Sequence, residues 1–214
     1  MKYKILFHLL FIMVLSMPAI LNAQFDYREA YVITNEGDTL KGFVEYANAR
    51  YNPYQCVFKK DSNAAVIIFT PKEIKNIVIG DQRHLVSRDV EMNGESRWLF
   101  LEYLVNGILD LYFFIDKEGV ANYFVEKEGQ LVDITNREKV AYVEGKHRIL
   151  NSRRHIGVMK YMTSDSPEFA KRVERMEYTT ESLVELTRDY HNLLCDTVEC
   201  IVYIREDKKL NDSK

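Results

Sequence analysis

The stretch that decides the fold is residues 98–115, "WLFLEYLVNGILDLYFFI", in which two apolar runs flank Asn106 and Gly107. The first run, "WLFLEYLV", is apolar at positions that face both sides of a strand, which is typical of a central strand. Asn-Gly is the strongest short hairpin signal in the chain, because both residue types tolerate the backbone angles of a tight turn. The second run alternates between two faces, with Leu109, Leu111, Phe113 and Ile115 on one and Asp110, Tyr112 and Phe114 on the other.

The same pattern extends on both sides of this hairpin. Residues 31–46, "YVITNEGDTLKGFVEY", predict another hairpin, because Gly37 can take a positive φ and Asn35 and Asp38 suit turn positions. Four short strand candidates follow, namely "YQCVFKK", "AVIIFT", "KNIVIG" and "HLVSRDV". Four glycines, Gly94, Gly107, Gly119 and Gly129, then recur at spacings of 13, 12 and 10 residues, close to the ~8–12 expected for strands joined by tight turns.

The hydrophobic period changes to that of a helix after residue 155. "IGVMKYM" predicts a short helix, and "SPEFAKRVERM" offers Ser166 as an N-cap with Pro167 at the first helical position. "TTESLVELTRDYHNLL" begins with a threonine cap and has apolar residues at helical spacing, Leu183, Leu186, Tyr190 and Leu194. We therefore predict an α+β fold: an antiparallel β-sheet or small sandwich over residues 25–145, two or three short helices and a final strand, "CIVYI".

The N-terminus has the pattern of a secretion signal. Lys2 and Lys4 precede an apolar run at residues 5–17, and Ala23 is a small residue before Gln24. The run is shorter than the ~20 residues that a membrane helix needs. We expect cleavage after Ala23, export to the periplasm or the cell exterior, and no transmembrane span in the mature chain; an uncleaved N-terminal anchor is the alternative.

The predicted organisation has four parts: a signal peptide at 1–23, a β-rich domain at 24–145, a helical C-terminal region at 146–204 packed on it, and a polar tail at 205–214. Removing the signal takes away two lysines and no acidic residue, so the net charge changes from −3 to −5. This mild acidity argues against a nucleic-acid partner. The remaining 191 residues suffice to bury a substantial core.

Three segments of the chain resemble a family of uncharacterised exported proteins from Bacteroidota. The segments are "YVITNEGDTLKGFVEY", "FLEYLVNGILDLYFF" and "MKYMTSDSPEF…SLVELTRDYHNLLCDTVECIVYI", which lie between residues 31 and 204, and the likeness extends over most of the mature chain. The resemblance implies a β-rich N-terminal region, which in some relatives continues into an outer-membrane β-barrel. It implies no catalytic residue. Ser166 stands where the family often has cysteine, so no disulfide pattern is carried over.

Three cysteines, Cys56, Cys195 and Cys200, lie in the mature chain. Cys195 and Cys200 enclose four residues between the last helix and the last strand, so a disulfide is expected if their Cα atoms come within ~4.4–6.8 Å. Cys56 lies in an apolar strand and is expected to be a buried thiol. A His191–Cys195 dyad is disfavoured by the helix C-terminus, and a zinc site with Cys200 lacks a fourth ligand. We predict neither a metal nor a cofactor.

Residues 146–160 form a basic strip without one acidic residue, and its cations are Lys146, Arg148, Arg153, Arg154 and Lys160. The strip could contact phosphorylated lipid head groups or an acidic partner. The alternative is a solvated connection whose charge offsets the acidic tips of neighbouring hairpins. The sequence therefore offers an anionic contact site as one of two interpretations of the strip.

Glu102 is the lone charge within "WLFLEYLV". A carboxylate desolvated among aromatic residues can act as an acid or base, but such a residue more often points outward beside a cross-strand cation. No GxSxG, HExxH, GxxxxGK or GxGxxG motif is present. We therefore predict no catalytic residue, and expect an exported non-catalytic module that binds a protein or envelope component. The alternatives are a hydrolase of unrecognised type and a carrier of a small apolar ligand.

Overall fold

The structure is a computed structural model, and it describes residues 26–203 except 47–50, 81–82, 93, 144–145, 152, 196 and 198. The predicted signal peptide and polar tail lie outside the described residues. Within the described part, no helix combines the length and apolar character that crossing a membrane requires.

The described chain confirms the α+β prediction, since its strands come first, its helices follow, and a short strand comes last. The strands are β1 (Tyr27–Thr34), β2 (Thr39–Glu45), β3 (Cys56–Lys59), β4 (Ile67–Phe69), β5 (Ile74–Ile79), β6 (Arg83–Met92), β7 (Glu95–Asn106), β8 (Asp110–Ile115), β9 (Ala121–Lys127), β10 (Gln130–Asp133), β11 (Glu138–Val143), β12 (Lys146–Asn151) and β13 (Ile201–Val202). The α-helices are α1 (Arg154–Met162), α2 (Ala170–Arg175) and α3 (Thr180–Leu194), with a 3₁₀ turn at Pro167–Phe169 before α2.

Eleven strands form one antiparallel sheet, in the order β10-β9-β8-β7-β6-β5-β1-β2-β3-β4 with β13 paired to β7, while β11 and β12 form a separate hairpin. The sheet is curled. Arg88 on β6 and Glu126 on β9 are three strands apart, about 14 Å in a flat sheet, yet Arg88 Nε lies 2.9 Å from Glu126 Oε2. Because β12 is a strand, the helical region begins at Arg154 rather than at the predicted residue 146.

Strand β7 is buried on both faces, as predicted for a central strand, and it contributes to three cores. The concave core lies inside the curl and includes Val86, Leu99, Leu101, Tyr103, Tyr112 and Phe124. The helix-side core lies between the sheet and the helices and includes Leu104, Leu111, Phe113, Met159, Phe169 and Tyr190. The hairpin-side core lies against β1 to β5 and includes Val32, Val44, Phe58, Ile77, Leu85 and Phe100.

Both predicted hairpins are present, although one turn differs from the expected form. Gly37 has a φ of 96° between β1 and β2, as predicted. Asn106 instead ends β7 and pairs with Ile201, so the β7–β8 connection is a three-residue loop that begins at Gly107. A Cβ at Gly107 would lie 2.7 Å from His191 Nδ1. Glycine is thus needed here for the close approach of α3 rather than for a tight turn.

The caps of the helices follow the sequence in part. Thr179 caps α3, because its side chain accepts a hydrogen bond from Ser182 N. Ser166 is the N-cap residue of the 3₁₀ turn and Pro167 its first residue, as predicted, although the Ser166 side chain makes no cap bond. Leu194 was also predicted to face the core, but it is exposed at the last turn of α3.

A polar cluster attaches the helices to the sheet at the end of β9. Lys127 Nζ lies 2.9 Å from Met162 O, 2.8 Å from Asp165 Oδ2 and 2.6 Å from Tyr190 OH. Burial opposes the charge on Lys127, but its bonds to Asp165 and Tyr190 outweigh burial and raise its pKa. One cation on the sheet therefore holds the end of α1 and the middle of α3 together.

Candidate functional site

An open cleft of about 260 Å³ lies beside β7, and the residues that line it belong to or pack against all three cores. We call it the Glu102 cleft and define it by Tyr51, Tyr54, Arg83, Glu102, Asp116 and Lys117. Glu102 lies between Phe100 and Leu104 on one face of β7, and these two residues belong to different cores. The carboxylate therefore marks the seam between the two cores.

Glu102 is buried in this seam, with only 2% of its surface exposed. Its neighbours across the sheet are Leu85 on β6 and Phe113 on β8, both apolar and buried. The prediction of an outward carboxylate is therefore wrong. The predicted cation beside it on the next strand is present, because Arg83 Nη1 lies 3.5 Å from Glu102 Oε2.

Arg83 is held against an aromatic ring as well as against Glu102. Its Cζ lies 4.9 Å from the ring centroid of Tyr46, and Arg28 Cζ lies 4.6 Å from the same centroid. The contact with Glu102 is at the outer limit of a hydrogen bond, and it engages one of the five N–H donors that a guanidinium carries. Arg83 is thus positioned by the fold while its planar group borders the cleft.

The aromatic wall of the cleft comes from residues 51–54. Pro53 O accepts a hydrogen bond from Phe100 N (2.8 Å), which attaches this segment to β7. Tyr51 OH donates to Phe113 O (3.0 Å), and Tyr54 N donates to Asn52 Oδ1 (2.9 Å). The first of these side-chain bonds fixes the Tyr51 ring at the cleft before any ligand arrives, which lowers the entropic cost of binding, and the others fix the backbone that carries Tyr54.

The opposite rim is the turn between β8 and β9. Asp116 holds this turn, because its carboxylate accepts from Val120 N (2.7 Å) and from Asn122 Nδ2 (3.0 Å). The neighbouring Lys117 is exposed, and its Nζ lies 5.1 Å from the ring centroid of Tyr54. The cleft therefore combines two cations, two carboxylates and two tyrosines.

The concave face carries a different polar cluster, the Arg88 network. Tyr112 OH lies 3.1 Å from Arg88 Nη2, 2.7 Å from Glu126 Oε2, and 3.1 Å from both Tyr103 OH and Asp110 Oδ2. Burial raises the pKa of Asp110 and the pKa of Tyr112. The members of this network bond mainly to one another, which is typical of a cluster that holds a curled sheet closed.

His84 and Tyr203 extend this concave face towards β13. His84 Nδ1 lies 3.2 Å from Tyr203 OH, and Asn76 Nδ2 lies 3.1 Å from His84 Nε2. Burial lowers the pKa of His84. The ring of Tyr103 lies 5.6 Å from that of His84 and 5.8 Å from that of Tyr203, between centroids. These contacts attach the chain after β13 to the sheet.

The basic strip is divided between two elements. Lys146 and Arg148 lie on β12, Arg153 is the residue before α1, and Arg154 is its first residue. Arg153 and Arg154 are exposed. Lys160 forms an ion pair with Glu174, so this cation is engaged within the helical region. The contact role of the strip stays a prediction.

The predicted Cys195–Cys200 disulfide is not formed in the structure, where both residues are thiols. Cys195 Sγ lies 3.7 Å from Thr197 Oγ1, whereas Cys200 Sγ lies near Gly107. Oxidation of the pair stays a prediction. His191 Nδ1 accepts from Ile108 N (3.0 Å), so His191 supports the β7–β8 loop.

The prediction of a buried thiol is confirmed for Cys56, because only 4% of its surface is exposed. Burial raises the pKa of this thiol to about 12. Within the described residues, no group of three or more His, Cys, Asp and Glu side chains is arranged to hold a metal ion.

Sequence reasoning singled out Glu102 but missed its surroundings. The lone charge in an apolar strand was the available signal. Tyr51, Arg83 and Lys117 reach the cleft from three separate segments, and no local pattern marks any of them. The comparison with known proteins gave no match: no protein-family model, curated protein or solved structure is significantly similar to this chain.

Proposed function

We propose that this protein is an exported, non-catalytic module that binds a protein or another component of the cell envelope, and that the Glu102 cleft is its binding site. The observation that carries the proposal is the buried Glu102 carboxylate at the base of an open cleft walled by tyrosines. Burying a charge costs free energy even when it is paired. A charge kept at the seam of two apolar cores is therefore best explained by recognition of a ligand.

The contacts of the two carboxylates favour binding over hydrolysis. Glu102 lies beside Arg83, and Asp116 accepts two hydrogen bonds that hold the β8–β9 turn. A general acid needs a raised pKa and a general base needs reach to a transferable proton. Asp116 is better explained by its turn, and Glu102 is paired with Arg83.

The helix-side core argues against the carrier of a small apolar ligand. Met159, Val173, Leu183 and Tyr190 are fully buried there against the sheet. These side chains occupy the space between the sheet and the helices, where a bound apolar ligand would have to lie. The cleft, by contrast, has charged groups at its base and rim, which suits a polar ligand.

Export is the part of the proposal that rests on the sequence. The charged start, the apolar run and the small residue at Ala23 support it, as does the resemblance to exported proteins of Bacteroidota. The intact mass of the protein from cell envelopes tests it: we expect a chain that begins at Gln24. A chain that retains residues 1–23 in the inner membrane would contradict export.

The binding site is tested by retention of the purified, processed protein on envelope fractions. We expect Tyr54→Ala and Lys117→Gln to weaken retention tenfold or more, because each removes a wall or rim of the cleft. Tyr161→Ala and Lys171→Gln are the matched controls, since both residues are exposed on helices away from the cleft. Equal retention of all four variants would contradict the proposal.

A further inference from the structure

We infer that the Glu102 cleft takes one ring of an uncharged sugar, so that the envelope component it recognises carries glycan. This inference rests on the proposed function and names the ligand class of the same site. Three properties of the cleft carry it: the balance of its charges, the nature of its walls and its volume.

Among the described residues that line the cleft, the charges balance. Arg83 and Lys117 contribute two positive charges, and Glu102 and Asp116 contribute two negative ones. A strongly anionic or cationic ligand would meet a like charge within the same small space. A hydroxyl group is both donor and acceptor, so it can donate to a carboxylate oxygen and accept from a guanidinium or ammonium group. A ring that carries several hydroxyls therefore matches this mixed lining.

The walls of the cleft suit the apolar face of a sugar ring. Aromatic rings have a negative face, which attracts the weakly positive C–H groups of a ring stacked on them. Tyr51 is fixed in place by its bond to Phe113 O, and Lys117 Nζ lies over the ring of Tyr54. Aromatic surface and hydrogen-bonding groups thus lie side by side, as a molecule with one polar rim and one apolar face requires.

The volume limits the ligand to one ring. Pockets for drug-sized ligands measure roughly 300–1,000 Å³, and this cleft has about 260 Å³. A helix or a folded protein segment would not enter it. The cleft is open on one side, so further units of a glycan can extend away from the bound ring into solvent.

The experiment is a titration of the processed protein, with ¹³C-labelled tyrosine rings observed by NMR. The probes are the methyl glycosides of glucose, galactose, mannose and N-acetylglucosamine, with N-acetylglutamate as the charged probe. We expect at least one glycoside to shift the Tyr51 and Tyr54 signals. We also expect Tyr54→Ala and Glu102→Gln to weaken that binding tenfold or more, and Tyr161→Ala to leave it unchanged.

Two outcomes would overturn the sugar assignment: no glycoside shifts these signals, or N-acetylglutamate binds while the glycosides do not. Glu102→Gln can fail to fold, in which case Lys117→Gln, which alters an exposed side chain, replaces it. Retention on envelopes that depends on Tyr54, combined with no glycoside binding, would refute the sugar and leave the proposed function standing. Retention that does not depend on Tyr54 would refute the proposed function itself.

Discussion

Two arginines of β6 provide a comparison between the two faces of the sheet. Arg83 and Arg88 are an odd number of residues apart, so they point to opposite faces. Arg88 lies 2.9 Å from Glu126, and the same carboxylate lies 2.7 Å from Tyr112 OH. Arg83 lies 3.5 Å from Glu102 beside an open cleft. One arginine belongs to a hydrogen-bonded network on the concave face, and the other borders the Glu102 cleft.

The Arg83–Glu102 pair is more deeply buried than the Arg88–Glu126 pair. The side chain of Glu102 is 2% exposed, whereas that of Glu126 is 17% exposed. An open cleft adjoins Arg83 and Glu102. Short bonds among several strands indicate a structural role for the Arg88 network, and the cleft is the observation on which the proposed binding role of Arg83 and Glu102 rests.

The largest effect on stability is expected from Leu101→Ala or Leu99→Ala, which truncate side chains in the concave core beside the Arg88 network. Both leucines are fully buried on β7, so truncation leaves a cavity and should lower the free energy of unfolding by roughly 2–5 kcal/mol. Trp98→Ala on the same strand is the control, because Trp98 is 41% exposed. Denaturant titrations measure all three, and parent-like stability of the leucine variants would remove β7 from the core.

The next effect is expected from Glu126→Gln, which weakens the Arg88 network without changing side-chain size. The substitution removes a charge that Arg88 and Tyr112 both contact. Hydrogen bonds to charged groups contribute about 1.5–3 kcal/mol, and we expect a loss of that order in urea titrations. A stability equal to that of the parent would show that the network does not hold the curled sheet.

A smaller, pH-dependent effect is expected at Asp110. Burial raises its pKa in the folded protein, so the fold favours the protonated form. Its stabilising contribution is full below the ordinary carboxyl pKa of ~3.9 and is lost as pH rises through the raised pKa. Asp110→Asn should therefore gain stability relative to the parent from about pH 4 upward, measured as unfolding free energy at several pH values. A difference that is constant with pH would contradict this assignment.

The smallest effect is expected from Arg153→Glu with Arg154→Glu in the basic strip. Both residues are exposed, and exposed ion pairs contribute ~0–1 kcal/mol, so the thermal midpoint should hardly change. With the cleft as the binding site, envelope association should also persist. Loss of association in this variant would instead make the strip a contact surface. In that case the parent should also bind more weakly as salt rises, because the Debye length falls from ~10 Å at 0.1 M salt to ~3 Å at 1 M.

The sequence predicted those parts of the fold that depend on local patterns. Apolar residues on both faces identified β7, alternation identified β8, Gly37 marked a turn, and Thr179 marked the start of α3, because each signal lies within a few residues. The pairing of β5 with β1 brings distant segments together, and neither strand contains a pattern that names its partner.

The candidate site was predictable only at Glu102, where a charge interrupts an apolar strand. Its orientation was predicted wrongly, because burial at the seam of two cores depends on how β1 to β5 and the helices pack on the same strand. The close approach of His191 to Gly107 was missed for the same reason, because α3 lies far along the chain from that loop.

The comparison between the two ion pairs is tested most directly by measuring Glu102→Gln and Glu126→Gln side by side, for unfolding free energy and for retention on envelope fractions. We expect opposite outcomes for retention. Glu102→Gln should lose retention tenfold or more, and it should also lose stability, because removing one partner of a buried ion pair leaves the Arg83 charge uncompensated. Glu126→Gln should lose stability and keep retention, so loss of stability alone does not explain loss of retention. Full retention by folded Glu102→Gln, or parallel losses of retention in both variants, would contradict the assignment of binding to the Glu102 cleft.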